Sequence, residues 1–166
     1  MFFEIIPLRS LMEEMRMPLV NHVLLADDDK DHALLFKHIL KKVDPHKELL
    51  TVHDGQALLD LLESFQPEIL FLDLNMPCKN GVDCLREIRS NPLYKDLRII
   101  VYSSSIHMQD IKKCYNYKAD LYLVKPFDSE HLTNALRMIL RQDWQSELSG
   151  YHYFINNRFV PFTSPE

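Results

Sequence analysis

The sequence predicts an α/β fold: a doubly wound, five-stranded parallel sheet with helices on both faces. Three observations lead there. Short apolar runs alternate along the chain with longer segments of helical apolar period. The runs are apolar at nearly every position, as strands buried on both faces are. Several stop abruptly on a charged or hydroxyl residue, and open parallel sheets carry their chemistry beyond the carboxyl ends of their strands.

The first run is His22 to Ala26, ending in Asp27-Asp28-Asp29. A helix follows over about Lys30 to Val43, with Ala33, Phe36, Ile39 and Leu40 as its apolar stripe and Asp29 as its N-cap. Leu49 to His53 is the second strand, and Asp54-Gly55 opens a helix whose Ala57, Leu58, Leu61 and Leu62 face inward. Ile69 to Leu72 is the third strand; it ends on Asp73, and Met76-Pro77 stops any regular continuation. Asn80-Gly81 starts a helix through Val82, Leu85 and Ile88 that closes near Asn91-Pro92. Arg98 to Tyr102 is the fourth strand, followed by Ser103-Ser104-Ser105 and a more polar helix, Ile106 to Tyr117. Leu121 to Val124 is the fifth strand, ending in Lys125-Pro126. Asp128-Ser129-Glu130 caps a last helix running to about Gln145, with Leu132, Leu136, Ile139 and Leu140 apolar. Alternation of this kind requires right-handed crossovers and helices on both faces.

With 166 residues the chain has room for one domain with a real core, not two ordinary ones. A net charge of −5 speaks against a nucleic-acid surface, which needs clustered Lys and Arg. Three glycines leave no glycine-rich phosphate loop. Cys78, Cys84 and Cys114 form no CxxC pair and read as free thiols in a reducing compartment. Residues 1–19 contain neither a basic leader nor a membrane span; Met17-Pro18 offers an alternative start that would make this extension incidental.

In a parallel sheet all C-terminal strand ends share one side of the molecule. That side receives Asp27-Asp28, Asp73, Ser103 and Lys125; the second strand adds His53-Asp54, an ordinary helix cap. Crowded carboxylates repel, so the site needs a cation, and oxygen ligands with room for water suit Mg²⁺. A carboxylate can attack phosphorus to give an aspartyl phosphate, with Mg²⁺, Lys125 and the Ser103 hydroxyl neutralising the oxygens. Taken singly, each residue has a plainer explanation: a helix cap, a turn former, an exposed lysine, a hydroxyl satisfying backbone groups. Their coincidence at successive strand ends favours phosphoryl transfer to a carboxylate.

On these residues the sequence resembles the receiver domain of bacterial two-component response regulators, over roughly residues 20–142. The resemblance implies a flavodoxin-like strand order 2-1-3-4-5. It makes Asp73 the phospho-acceptor, with Asp27, Asp28 and the Asn75 backbone carbonyl completing the Mg²⁺ set. Ser103 matches the switch hydroxyl, Tyr122 the switch aromatic, and Lys125-Pro126 the family lysine with its usually cis proline. Asn75 and Ser105 stand at positions that tune dephosphorylation in the family, and Lys118 replaces a frequent glycine. The implied phosphate donor is a histidine kinase or phosphotransfer protein, and the implied output is protein–protein contact by a stand-alone, cytoplasmic, non-enzymatic regulator that needs neither nucleic acid nor membrane.

Three rival readings compete for these residues. A haloacid-dehalogenase-type phosphatase wants a carboxylate two residues after its nucleophile, where this chain has Asn75. An FMN binder would be repelled by three aspartates at its phosphate. A phosphorylation-independent pseudo-receiver, an interaction module only, stays compatible with the sequence. The receiver assignment covers residues 20–145 and leaves an aromatic tail, 146–166. In the tail, Asn156-Asn157 between Tyr153-Phe154-Ile155 and Arg158-Phe159-Val160 reads as a hairpin turn. The plainer expectation is that this tail packs on its own domain; the sharper one is homodimer contact or partner docking.

Overall fold

The structure is a computed structural model and describes residues 19–141, 152–155 and 158–161. The five parallel strands are β1 (Leu19–Ala26), β2 (Glu48–Val52), β3 (Pro67–Leu72), β4 (Arg98–Ser103) and β5 (Leu121–Val124). They alternate with α1 (Lys30–Val43), α2 (Gly55–Ser64), α3 (Gly81–Ser90), α4 (Met108–Asn116) and α5 (Ser129–Arg141). Strand order is β2-β1-β3-β4-β5, all parallel, as the resemblance implied.

The sheet does not stop at five strands. β6 (His152–Ile155) pairs parallel with β5, and β7 (Arg158–Pro161) pairs antiparallel with β6, giving seven. Residues 152–155 and 158–161 of the tail therefore join the domain as sheet. Phe154 is 1% exposed and packs with Leu121, Leu123, Leu132 and Leu136. The hairpin turn at 156–157, the N-terminal extension and the end of the last helix lie outside the described residues.

Because side chains alternate along a strand, each strand feeds two cores. Val23, Leu25, Phe71, Ile100 and Leu123 meet α1 and α5 on one face. Leu24, Leu70, Leu72, Ile99 and Val101 meet α2, α3 and α4 on the other. The caps fall where the sequence puts them: Asp29 accepts from Asp31 and His32 N–H, Asp54 from Ala57 N–H, and Asn80 from Asp83 N–H. A clamp joins α3 to the loops behind the sheet: Arg89 donates to the carbonyls of Tyr94, Leu97 and Lys118 and pairs with Asp120 at 2.7 Å.

One expectation fails. Among the described residues no peptide bond is cis, so Lys125-Pro126 is trans. Past β5 the ladder with β4 continues one residue, the Lys125 N–H donating to the Ser103 carbonyl at 2.8 Å.

Candidate functional site

The site forms where β1 and β3 leave the core. The sheet hydrogen bonding continues one residue past each strand: Asp27 N–H donates to the Val52 carbonyl at 3.0 Å, and Asp73 N–H to the Ala26 carbonyl at 2.9 Å. Both aspartates are thereby fixed by backbone pairing. Asp27 is fully buried and Asp73 nearly so, while Asp28 is exposed. Oxygens of all three lie within 4.8 Å of one another.

Behind Asp73 the backbone is crowded by design of the loop. A Cβ on Gly81 would sit 1.9 Å from the Asp73 carbonyl oxygen, so only glycine lets α3 start so close to the β3 end. Gly55 has the same constraint, its Cβ position lying 2.0 Å from the Lys79 carbonyl oxygen.

Lys125, from the far side of the sheet, reaches into this cluster. Its Nζ lies 2.8 Å from Asp27 Oδ2 and 2.8 Å from Asp73 Oδ2. The Tyr102 ring, 5.3 Å from the ammonium, packs edge-to-face with Phe36 and Phe71 and forms a dry floor. Burial raises the Asp73 pKa above the aspartate value, outweighing the hydrogen bond from Lys125 that pulls it down. Burial works against the Lys125 charge, yet its hydrogen bonds to Asp27 and Asp73 prevail and raise its pKa. Three carboxylates and one ammonium leave the cluster negative when ionised. That donor set of hard oxygens fits a divalent cation such as Mg²⁺.

The remaining predicted residues sit around this centre in different ways. Asn75 is in the loop after β3, with its N–H donating to Asp73 Oδ1 at 3.3 Å. Ser103 is buried at the end of β4 and accepts a hydrogen bond from Ser105 N–H at 3.2 Å. Tyr122 is fully buried, and its hydroxyl donates to the Ser105 carbonyl at 3.0 Å. Burial lifts its phenol to about 12, hydrogen bonds to Ser103 and Ser105 working against that rise. Two histidines to which the sequence assigned no part in the site, His53 and His32, belong to the surroundings. His53 Nδ1 is 2.9 Å from the Asp27 carbonyl, and His32 Nδ1 is 3.6 Å from Asp29 and 4.0 Å from Asp27. His53 directly precedes the Asp54 cap, which was the one available hint. Cys78, exposed in the loop after Asp73, Cys84 and Cys114 are all free thiols.

A doubly wound parallel sheet with an acidic cluster and a lysine at its C-terminal strand ends defines a class of phosphate-signalling domain. The response regulator receiver domain family matches residues 23–137, and the chain belongs to that family. Phosphorylation and Mg²⁺ binding are typical of it. Transcriptional regulatory protein CpxR of Escherichia coli K12 is 34% identical over 128 residues, 77% of this chain and 53% of that protein. The chain thus spans about half the length of that curated relative. Response regulator Rcp1 of Synechocystis is 31% identical over 124 residues, 70% of this chain and 82% of Rcp1. Its Mn²⁺-bound form superposes with a TM-score of 0.66 at 28% identity, over 72% of this chain and 91% of that one. The phosphorylated cyanobacterial phytochrome response regulator RcpA superposes with a TM-score of 0.68, again at 28% identity, over 72% of this chain and 91% of that one.

No helix among the described residues is long and apolar enough to cross a membrane.

Proposed function

We propose that this receiver domain takes a phosphoryl group onto Asp73 from a phosphohistidine of a histidine kinase or phosphotransfer protein, in the cytoplasm, and signals by protein–protein contact made by the domain itself. The observation that carries this reading is the Lys125 ammonium shared by Asp27 and Asp73 at 2.8 Å. In the transfer, an Asp73 oxygen bonds phosphorus as the P–N bond to the donor imidazole breaks. Lys125 exchanges its contact with Asp73 Oδ2 for one with a phosphoryl oxygen and stays anchored by Asp27. Asp27, Asp28, Asp73 and the Asn75 carbonyl would hold Mg²⁺, which when bound would supply further neutralisation of the phosphoryl oxygens.

Ser103 then has a reason to move. Its hydroxyl leaves the Ser105 N–H for the phosphoryl group, and the β4–α4 loop rearranges around Tyr122, which already sits inward. The surface formed by α4, β5 and the strands beyond it changes with that loop. Phosphorylation is read directly by intact-protein mass after incubation with Mg²⁺ and acetyl phosphate. One phosphoryl group gained by wild type and none by Asp73→Asn is the expected result. No gain in a folded wild type, with acetyl phosphate or a phosphorylated histidine kinase, leaves the interaction-module reading instead.

A further inference from the structure

Asp27 is held at each of its polar atoms. Its N–H donates to the Val52 carbonyl at 3.0 Å, Oδ1 accepts from Asp29 N–H at 3.0 Å, and Oδ2 accepts from Lys125 at 2.8 Å. The remaining contact is different in kind. The Asp27 carbonyl lies 2.9 Å from Nδ1 of His53, a side chain that reaches over from the end of β2. A carbonyl only accepts, so Nδ1 carries the proton and donates it. The ring thus extends by side chain the ladder that β1 and β2 make by backbone as far as Ala26 and Val52.

His53 donates from a firm place. Val52, before it, is paired into the sheet, and Asp54, after it, caps α2 by accepting from Ala57 N–H at 2.7 Å. Gly55 then sits so close to the next loop that a Cβ on it would lie 2.0 Å from the Lys79 carbonyl oxygen. What the ring holds matters for the residue after Asp27. The Asp27 carbonyl and the Asp28 N–H belong to one planar peptide unit. Holding the carbonyl holds the plane, and with it the direction in which the Asp28 Cα leaves. Asp28 is exposed, so packing does little to aim its carboxylate, yet one of its oxygens lies within 4.8 Å of oxygens of Asp27 and Asp73.

We propose that His53 is a positioning residue for divalent metal: by donating to the Asp27 carbonyl it sets the peptide between Asp27 and Asp28 so that the Asp28 carboxylate joins those of Asp27 and Asp73. The inference rests on these three aspartates being metal ligands. His53 is not itself a ligand; its effect travels through one peptide group. The contact joins β2 to the end of β1 and involves no residue of the β4–α4 loop, so it does not depend on how that loop rearranges.

The test is Mg²⁺ affinity in the full chain with no phosphoryl donor present, taken from the rise of Tm with Mg²⁺ concentration. A merely structural role for the ring would lower the metal-free Tm and leave that rise as steep as wild type's. His53→Ala is expected to raise the Mg²⁺ Kd about threefold to tenfold, since water can take up only part of the lost bond. His53→Asn is expected to stay within about twofold of wild type, because its amide nitrogen can stand where Nδ1 stood and donate in its place. In an Asp28→Asn background, His53→Ala is expected to change the Kd by less than about twofold, since the side chain it positions has lost its charge. His53→Leu, which fills the space without a donor, replaces the alanine variant if that one does not fold. An unchanged Kd in His53→Ala overturns the inference. So does failure of His53→Asn to keep the affinity, or an undiminished effect of His53→Ala when Asp28 is already asparagine. A wild type whose Tm does not respond to Mg²⁺ overturns the reading of the three aspartates, and this inference with it.

Discussion

Lys125 Nζ and Asp73 Oδ2 are 2.8 Å apart, yet the carboxylate is harder to ionise than a free one. The lysine alone would lower the Asp73 pKa; burial raises it and wins. A folded-state pKa above the ordinary 3.8 means that the fold favours the protonated acid. Its favourable contribution is complete below that value and lost as pH rises through the folded-state pKa. At neutral pH the ionised acceptor is a stability cost. Asp73→Asn removes the charge and leaves Lys125 paired with Asp27. We expect its Tm without metal to rise by roughly 2–4 °C, about 1 kcal/mol for a chain of this size. A lower Tm would mean that the pair with Lys125 outweighs burial.

Divalent metal relieves the same cost from the other direction. Wild-type Tm is expected to climb with Mg²⁺ concentration, by RT ln(1 + [Mg²⁺]/Kd) at each step. Exposed Asp28 contributes little without metal, so Asp28→Asn should leave the metal-free Tm unchanged and flatten the Mg²⁺ series. A series as steep as wild type's would remove Asp28 from the ligand set.

Lys118 sits at φ 61°, in the left-handed region that favours glycine. It closes α4 by donating its N–H to the Tyr115 carbonyl, and its own carbonyl accepts from Arg89 at 2.8 Å. Both bonds belong to the backbone and survive loss of the side chain. Lys118→Gly is therefore expected to stabilise the chain by about 0.5–1 kcal/mol, measured by urea denaturation. Destabilisation would show that the lysine stem packs usefully enough to offset its backbone strain.

Phe154 fills space between β5 and α5. Phe154→Ala should cost about 3–5 kcal/mol by denaturant titration if the hairpin is integral to the fold. A change below about 1 kcal/mol would make β6 and β7 a loosely docked appendage.

Much of this molecule can be read from its residues, for identifiable reasons. Runs such as Ile69 to Leu72 are buried on both faces, so their apolarity and abrupt ends mark strands to within a residue or two. Asp29, Asp54 and Asn80 announce helix starts by their capping chemistry. The juxtaposition of Asp27, Asp73 and Lys125 followed from parallel topology alone, but the strand order came only from resemblance. The hairpin was legible as the runs Tyr153-Phe154-Ile155 and Arg158-Phe159-Val160 on either side of Asn156-Asn157, whereas its parallel pairing with β5 was not. Local pattern cannot say which strand an apolar segment will join. The hydrogen bond from Ser105 to Asp110 escaped for a related reason: it depends on where the α4 turn falls in space, and neither residue type is unusual for a loop and a first turn.

The pairing of β5 with β6 also bears on how the chain is made. A ribosome releases β5 well before β6 and β7, so the growing chain holds Leu121 and Leu123 on a strand with one row of amide and carbonyl groups still unsatisfied. During that interval β5 is a template for any extended segment, including another nascent chain's. The strands that follow out of the exit tunnel end that exposure, and β5, although present early, reaches its final surroundings only once residues 152–161 have emerged.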